Sequence, residues 1–217
     1  MELSHVSMPM HSERSPITTV IDSRSLNLPN AITLSRFVLA LVLFALIATG
    51  KYWRISAVVF VIAALTDFLD GFLARKYGQV TVLGRILDPF VDKIIICGAF
   101  IFLMASPGSG VTAWITFAII AREMFITQLR AFMEQRGTDF SAQWSGKIKM
   151  GIQCVAVPLC LLSLSPEFQT TWQKGLPLPL LAQLRDLTIW GTVAITVYSG
   201  VEYSWRAFQI LRHPVSE

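Results

Sequence analysis

The sequence predicts an all-α fold, a polytopic membrane protein with six transmembrane helices in one bundle and both termini cytoplasmic. Three observations lead there. Of 217 residues, 53% are hydrophobic and 15% charged, against about 25% charged in a soluble domain, and mean hydropathy is +0.57. Apolar runs near the ~20 residues that a hydrocarbon core of about 30 Å requires recur along the chain. Lysine and arginine are also distributed unevenly around those runs. With the N-terminus inside, thirteen flank the cytoplasmic ends and four (Lys51, Arg54, Lys174, Arg185) the opposite ends. The positive-inside rule then sets the orientation.

The elements follow in order. Residues 1–28 are polar, have balanced acids and bases and lack the apolar stretch of a signal peptide. They are expected to be disordered or to lie on the surface, leaving residues 29–212 as the membrane domain. The six apolar runs are Ile32–Thr49, Ile55–Leu73, Phe90–Ala105, Val111–Met133, Ile148–Leu164 and Leu187–Leu211, separated by breaks such as "SPGSG" at 106–110 and "KGLPLP" at 174–179. The net charge of +4 favours anionic lipid headgroups; no nucleic-acid motif accompanies it. Cys97, Cys154 and Cys160 lie in apolar runs without metal or redox spacing and read as small buried hydrophobes. Trp114, Trp172, Trp190 and Trp205 read as interface belts and packing. His5, His11 and His213 sit at the ends, so no histidine serves as nucleophile inside the bundle.

Against this apolar background, "LTDFLDGFLARKYGQVTVLGRILDPFVDKI" at 65–94 carries four aspartates. Each ionised carboxylate in a membrane helix costs on the order of 2.5–3.5 kcal/mol, so four within one stretch demand a reason. Asp67, Asp70, Gly71 and Ala74 follow i, i+3, i+4, i+7 spacing and share one helix face. Asp88 and Asp92 lie one turn apart on the helix that returns. The four carboxylates converge in one pocket in the cytoplasmic part of the bundle. Uncompensated, they would repel and take up protons; a divalent cation resolves this, and an all-oxygen donor set suits magnesium, manganese or calcium. Gly71 and Ala74 leave the same face nearly bare for a substrate phosphate. Two local alternatives compete: Asp88-Pro89 as a helix N-cap, and pairing of Asp67 and Asp70 with Arg75 and Lys76.

Residues 67–92 fit D-x2-D-G-x2-A-R-x8-G-x3-D-x3-D without a gap, through Asp67, Asp70, Gly71, Ala74, Arg75, Gly84, Asp88 and Asp92. This pattern resembles the signature of the CDP-alcohol phosphatidyltransferase family. The resemblance implies a six-helix, usually homodimeric membrane enzyme that displaces CMP from a CDP-linked lipid with an alcohol. It implies two divalent cations, Mg2+ or Mn2+, on Asp67, Asp70, Asp88 and Asp92, where two metals can stabilise the attacking and leaving oxygens. Gly71, Ala74, Arg75 and Gly84 would line the CDP-lipid site, together with Thr33 and Arg36 of the first helix; Asn30 reads as an N-cap.

Outside the signature, "LPNAITLSR" at 28–36, "AREMFITQLRAFMEQRG" at 121–137, "GKIKMGIQ" at 146–153 and, loosely, "YSGVEY" at 198–203 are similar to the branch of that family that makes phosphatidylglycerophosphate. Met150 stands where that branch usually has threonine. The implied substrates are CDP-diacylglycerol and glycerol 3-phosphate, with the active site facing the cytoplasm from the cell (inner) membrane. Chemistry supports a phosphate-bearing acceptor independently, because a phosphate needs cationic partners. Arg122 sits mid-span, where an arginine should have a functional partner, Arg130 lies two turns nearer the cytoplasm, and Lys147 and Lys149 open the next helix. The competing reading pairs Arg122 with Glu123 and lets the others snorkel. With no histidine in the bundle, a carboxylate is left to take the acceptor's proton. Asp92, one turn deeper than Asp88, is assigned that role, which the resemblance also implies. The rivals are a cardiolipin synthase of the same family using phosphatidylglycerol, other family acceptors such as inositol phosphate or serine, and a cation transporter. Clustering of the acids towards one surface and the absence of a repeat argue against the last.

Overall fold

A computed structural model describes residues 28–77, 82–136, 138, 140 and 144–212, with side chains at 33–66, 90–136, 138, 140 and 144–212. The expected N-terminal segment, residues 1–28, lies outside the described residues but for Leu28. Among the described residues the chain is wholly helical, with α1 Leu28–Thr49, α2 Trp53–Tyr77, α3 Val82–Met104, α4 Ala113–Gln135, α5 Trp144–Ser163, α6 Pro166–Trp172 and α7 Leu178–Arg212. Each predicted apolar run falls on one of the six long helices. The breaks also form as the sequence implies. Gly50 ends α1 at φ 66°, a left-handed position that glycine takes without a Cβ penalty. Thr112 caps α4 by accepting from the Ile115 amide at 3.4 Å, and Ser165 caps α6 by accepting from the Phe168 amide at 3.3 Å, with proline following it at N1.

Three details differ from expectation. The connection before the last span holds the short helix α6. Helix α7 begins at Leu178 and runs 35 residues, about 52 Å at 1.5 Å per residue, longer than a bilayer core. Helix α3 begins at Val82, six residues before Asp88, so Asp88 is no N-cap. Pro89 lies inside that helix and has no N–H for the carbonyl of Arg85.

Helix α1 packs between α2 and α3; α2 also meets α5, α5 meets α7, α7 meets α4, and α4 closes on α3. The outer faces are unlike those of a water-soluble bundle. On α1, Thr33, Arg36, Ala40, Leu43 and Ile47 face inwards at helical spacing, while Leu34, Val38, Leu41 and Val42 are exposed. On α7, Thr192, Thr196, Ser199, Tyr203 and Ala207 are buried, and Trp190, Val197, Val201, Trp205 and Phe208 are exposed. Large apolar side chains exposed along the long helices, with several polar ones inside α1, α5 and α7, make a surface that water would not tolerate. Exposure of Trp114, Trp190 and Trp205 fits a belt position, whereas Trp172 is half-buried. Of the three cysteines only Cys160 is fully buried; Cys97 and Cys154 are half-buried. Among the described residues one stretch, Trp144–Leu164, is by itself long and apolar enough to cross a membrane, and Thr33–Thr49 and Trp53–Thr66 are apolar but shorter. In α4 the charges Arg122, Glu123 and Arg130 interrupt the run.

Two apolar clusters result. The larger joins Leu43, Phe60, Phe100, Leu103, Ile119 and Leu161 through the middle of the bundle. The smaller, Ile126, Met133, Phe140, Tyr203 and Ala207, lies between α4, the α4–α5 connection and α7. In the first, a Cβ on Gly98 would stand 2.1 Å from the ring of Phe44, which is stacked on Phe102 with centroids 5.1 Å apart. Gly98→Leu should therefore unstack Phe44 and cost about 1–3 kcal/mol, the usual range for overpacking. Thermal unfolding of the purified protein in detergent checks this, and a midpoint equal to that of the unsubstituted chain would contradict the packing of α1 on α3.

Candidate active site

The cavity of interest has a volume of about 410 Å³ and lies between α3, α4, α5 and α7. Its walls follow from helical spacing. Asp92, Lys93 and Ile96 come from α3; Arg122, Glu123, Ile126, Thr127, Arg130 and Glu134 from α4; Gly146, Lys147, Lys149, Met150 and Gln153 from α5; and Tyr203 from α7. Residues three, four and seven apart on each helix share a face, so one face of each helix carries the polar groups. Five predicted site residues, Asp92, Arg122, Arg130, Lys147 and Lys149, thus meet around a single space.

The charges compensate one another. Arg36 is 0% exposed and its Nη2 donates to Asp92 Oδ1 at 3.4 Å, tying α1 to α3. Thr33, one turn earlier on the same face, is buried as well. Glu123 accepts from the buried Lys149 Nζ and also lies 3.6 Å from Arg122 Nη1. The competing reading of Arg122 as a partner of Glu123 is therefore partly realised, but Glu123 is shared. Lys147 is exposed and stands over the Trp144 ring at 5.0 Å. The Nε atoms of Arg122 and Arg130 and Nε2 of Gln153 are buried with no acceptor among the described residues. All three are donors, and five basic side chains against three acidic ones line the cavity. Such a space favours an anion rich in acceptors.

Tyr203, Lys93, Glu134 and Gln153 are members that sequence reasoning did not assign. Gln153 and Tyr203 close the quoted segments "GKIKMGIQ" and "YSGVEY", and their spacing from Lys149 and Ser199 was the available signal. The side chains of Asp67, Asp70, Gly71, Ala74, Arg75, Gly84 and Asp88 lie outside the described residues. Their helices are described: α2 runs unbroken through 67–74 and α3 through 84–92. The helical registers assumed for the two aspartate pairs are therefore present. No cluster of three or more metal-ligating groups occurs among the described residues.

Residues 26–198 match the sequence profile described as CDP-alcohol phosphatidyltransferase. The chain is 33% identical over 201 residues to the CDP-diacylglycerol–glycerol-3-phosphate 3-phosphatidyltransferase of Bacillus subtilis, covering 86% of this chain and 97% of that one. It is 36% identical over 192 residues to a probable phosphatidylglycerophosphate synthase of Mycobacterium tuberculosis, covering 86% and 84%. A CDP-diacylglycerol–glycerol-3-phosphate 3-phosphatidyltransferase of Salmonella choleraesuis is 34% identical over 171 residues, covering 76% and 90%. With a bundle of long helices, a basic cavity beside Asp92 and a profile match over most of its length, this chain belongs to the CDP-alcohol phosphatidyltransferase family.

Proposed function

We propose that the protein transfers the phosphatidyl group of CDP-diacylglycerol to sn-glycerol 3-phosphate, yielding phosphatidylglycerophosphate and CMP. The observation that carries this reading is the convergence of Arg122, Arg130 and Lys149 on one small cavity that also opens on Asp92. The names of the relatives point to the same acceptor. The acceptor phosphate is held by the two guanidiniums and the Lys149 ammonium, with Lys147 at the exposed edge. Its free hydroxyl is then directed towards Asp92. As that oxygen attacks the lipid-side phosphorus, its proton passes to the Asp92 carboxylate. The bond from phosphorus to the CMP oxygen breaks, and CMP departs. Arg36, on the other side of Asp92, fixes the rotamer that receives the proton.

By their spacing on α2 and α3, Asp67, Asp70, Asp88 and Asp92 would supply an all-oxygen donor set, which suits magnesium or manganese. Two such cations would neutralise charge on the diphosphate and on the leaving oxygen. Gly71, Ala74, Arg75 and Gly84 would border the CDP-lipid, with Thr33 alongside. The six long helices span the membrane with both termini in the cytoplasm, and the working unit is a homodimer. The connections 50–52, 105–112 and 164–177 lie at the end opposite the cavity, where Arg185 of α7 donates to the Gly108 carbonyl at 2.8 Å.

Released CMP, measured with purified protein, CDP-diacylglycerol and a panel of acceptors, tests the reaction. Glycerol 3-phosphate should support turnover. Arg122→Gln and Arg130→Gln should each raise its KM by about 10- to 150-fold, since hydrogen bonds to charged groups contribute about 1.5–3 kcal/mol, and leave the KM for CDP-diacylglycerol nearly unchanged. CMP release with phosphatidylglycerol and none with glycerol 3-phosphate would make the protein a cardiolipin synthase instead.

Chelation should stop turnover, and magnesium or manganese should restore it. Asp92→Asn keeps the shape but removes the base, which is worth about 10²–10⁴ in rate, so excess magnesium should not restore its turnover. Recovery to the unsubstituted rate at high magnesium would leave Asp92 as a ligand only.

For topology, single cysteines placed in a chain freed of Cys97, Cys154 and Cys160 can be labelled in intact cells. Exposed positions Ala113 and Lys174 should react with an impermeant reagent, and Arg136 only after lysis. Equal reactivity of positions 113 and 136 would refute the orientation.

A further inference from the structure

Tyr203 has no assigned role in the reaction, yet it touches both arginines of the proposed acceptor site. It is 1% exposed. The Arg122 and Arg130 guanidinium carbons each lie 5.7 Å from its ring centroid, and its hydroxyl accepts from Arg130 Nη2 at 3.2 Å. The two arginines are eight residues apart on α4, about 12 Å along the axis, and carry like charges. Left to themselves they would separate towards the two ends of the helix. An aromatic face attracts cations through its quadrupole, so one ring set between them draws both guanidiniums inwards.

The ring is itself held. Phe140, 1% exposed, meets it edge-on with centroids 5.6 Å apart and planes at 64°, and Arg206 stands over the far ring at 5.1 Å. Ile126, Met133 and Ala207 complete the buried cluster. The hydroxyl engages Arg130, while Nε of each arginine has no acceptor among the described residues. Tyrosine thereby orients the forks and leaves donors to spare for an incoming oxyanion.

We infer that Tyr203 is a positioning residue for the acceptor's phosphate, setting the spacing and orientation of Arg122 and Arg130 through its ring and hydroxyl. The inference rests on the proposed acceptor site and predicts a graded response. Tyr203→Phe retains the ring and the contact with Phe140 but loses the hydroxyl; Tyr203→Leu loses both.

Steady-state CMP release distinguishes the outcomes. Tyr203→Phe should raise the KM for glycerol 3-phosphate about 3- to 10-fold, and Tyr203→Leu by about 30-fold or more. In both, the KM for CDP-diacylglycerol should stay within about twofold of the unsubstituted value. Protection of the unsubstituted protein against thermal unfolding by glycerol 3-phosphate should weaken in Tyr203→Phe, and this readout decides alone if the leucine variant fails to fold. A tyrosine that only packs would lower the unfolding midpoint and the yield of active enzyme while leaving that KM unchanged, and such a result overturns the inference. Failure of the unsubstituted protein to use glycerol 3-phosphate would instead overturn the proposed acceptor and, with it, the inference.

Discussion

An ion enclosed in a helical bundle must find its counter-charge within the bundle, and much of this structure follows from that requirement. Removing an ion from water costs several kcal/mol unless a partner and hydrogen bonds compensate. Arg36, wholly enclosed on α1, reaches Asp92 on α3. Lys149 on α5 and Arg122 on α4 share Glu123. These contacts tie α1 to α3 and α5 to α4, and Asp92, Arg122, Glu123 and Lys149 are among the residues that line the cavity. The site is thus part of what determines how the helices meet.

The distribution of apolar residues follows from the same surroundings. In water, exposed rows such as Leu34, Val38 and Leu41 on α1 or Val197, Val201 and Phe208 on α7 would drive association. In the membrane setting proposed above they would be the solvated face, and the helices would gain little from hiding them. Cohesion must come from close packing and polar contacts between helices. Phe44 seated on Gly98 and Thr116 donating to the Phe100 carbonyl at 3.4 Å are contacts of that kind. The segregation leaves the interior free to hold threonines, serines, glutamine and charges, which a catalytic cavity needs.

Within the cavity, charge and shape divide the work. Lys149 and Glu123 partly neutralise each other, so the excess positive charge resides chiefly with the two arginines and the more open lysines. Both arginines lie against a tyrosine whose buried cluster is otherwise apolar, made of Ile126, Met133, Phe140 and Ala207. Apolar packing there serves electrostatics: it fixes the ring against which both guanidiniums lie. Asp92 stands at the border, paired with Arg36 on one side and open to the cavity on the other.

Much of this was legible in the sequence because membrane insertion imposes strong local rules. Twenty-residue apolar runs, bounded by glycine and proline, located six long helices. The eight-position aspartate signature pointed to the family, and the cost of mid-span charge singled out Arg122. Helix ends were less legible: α7 begins nine residues before its apolar run, and α6, at seven residues, is too short to register as a span. That Lys149 reaches Glu123, that Arg36 turns onto Asp92 and that Tyr203 lies beside both Arg122 and Arg130 are facts of tertiary structure. Each joins residues 26 to 81 positions apart, brought together by which helix packs beside which and at what rotation. Periodicity names the face a residue occupies on its own helix; the partner across from that face depends on interhelical packing, which no local pattern encodes.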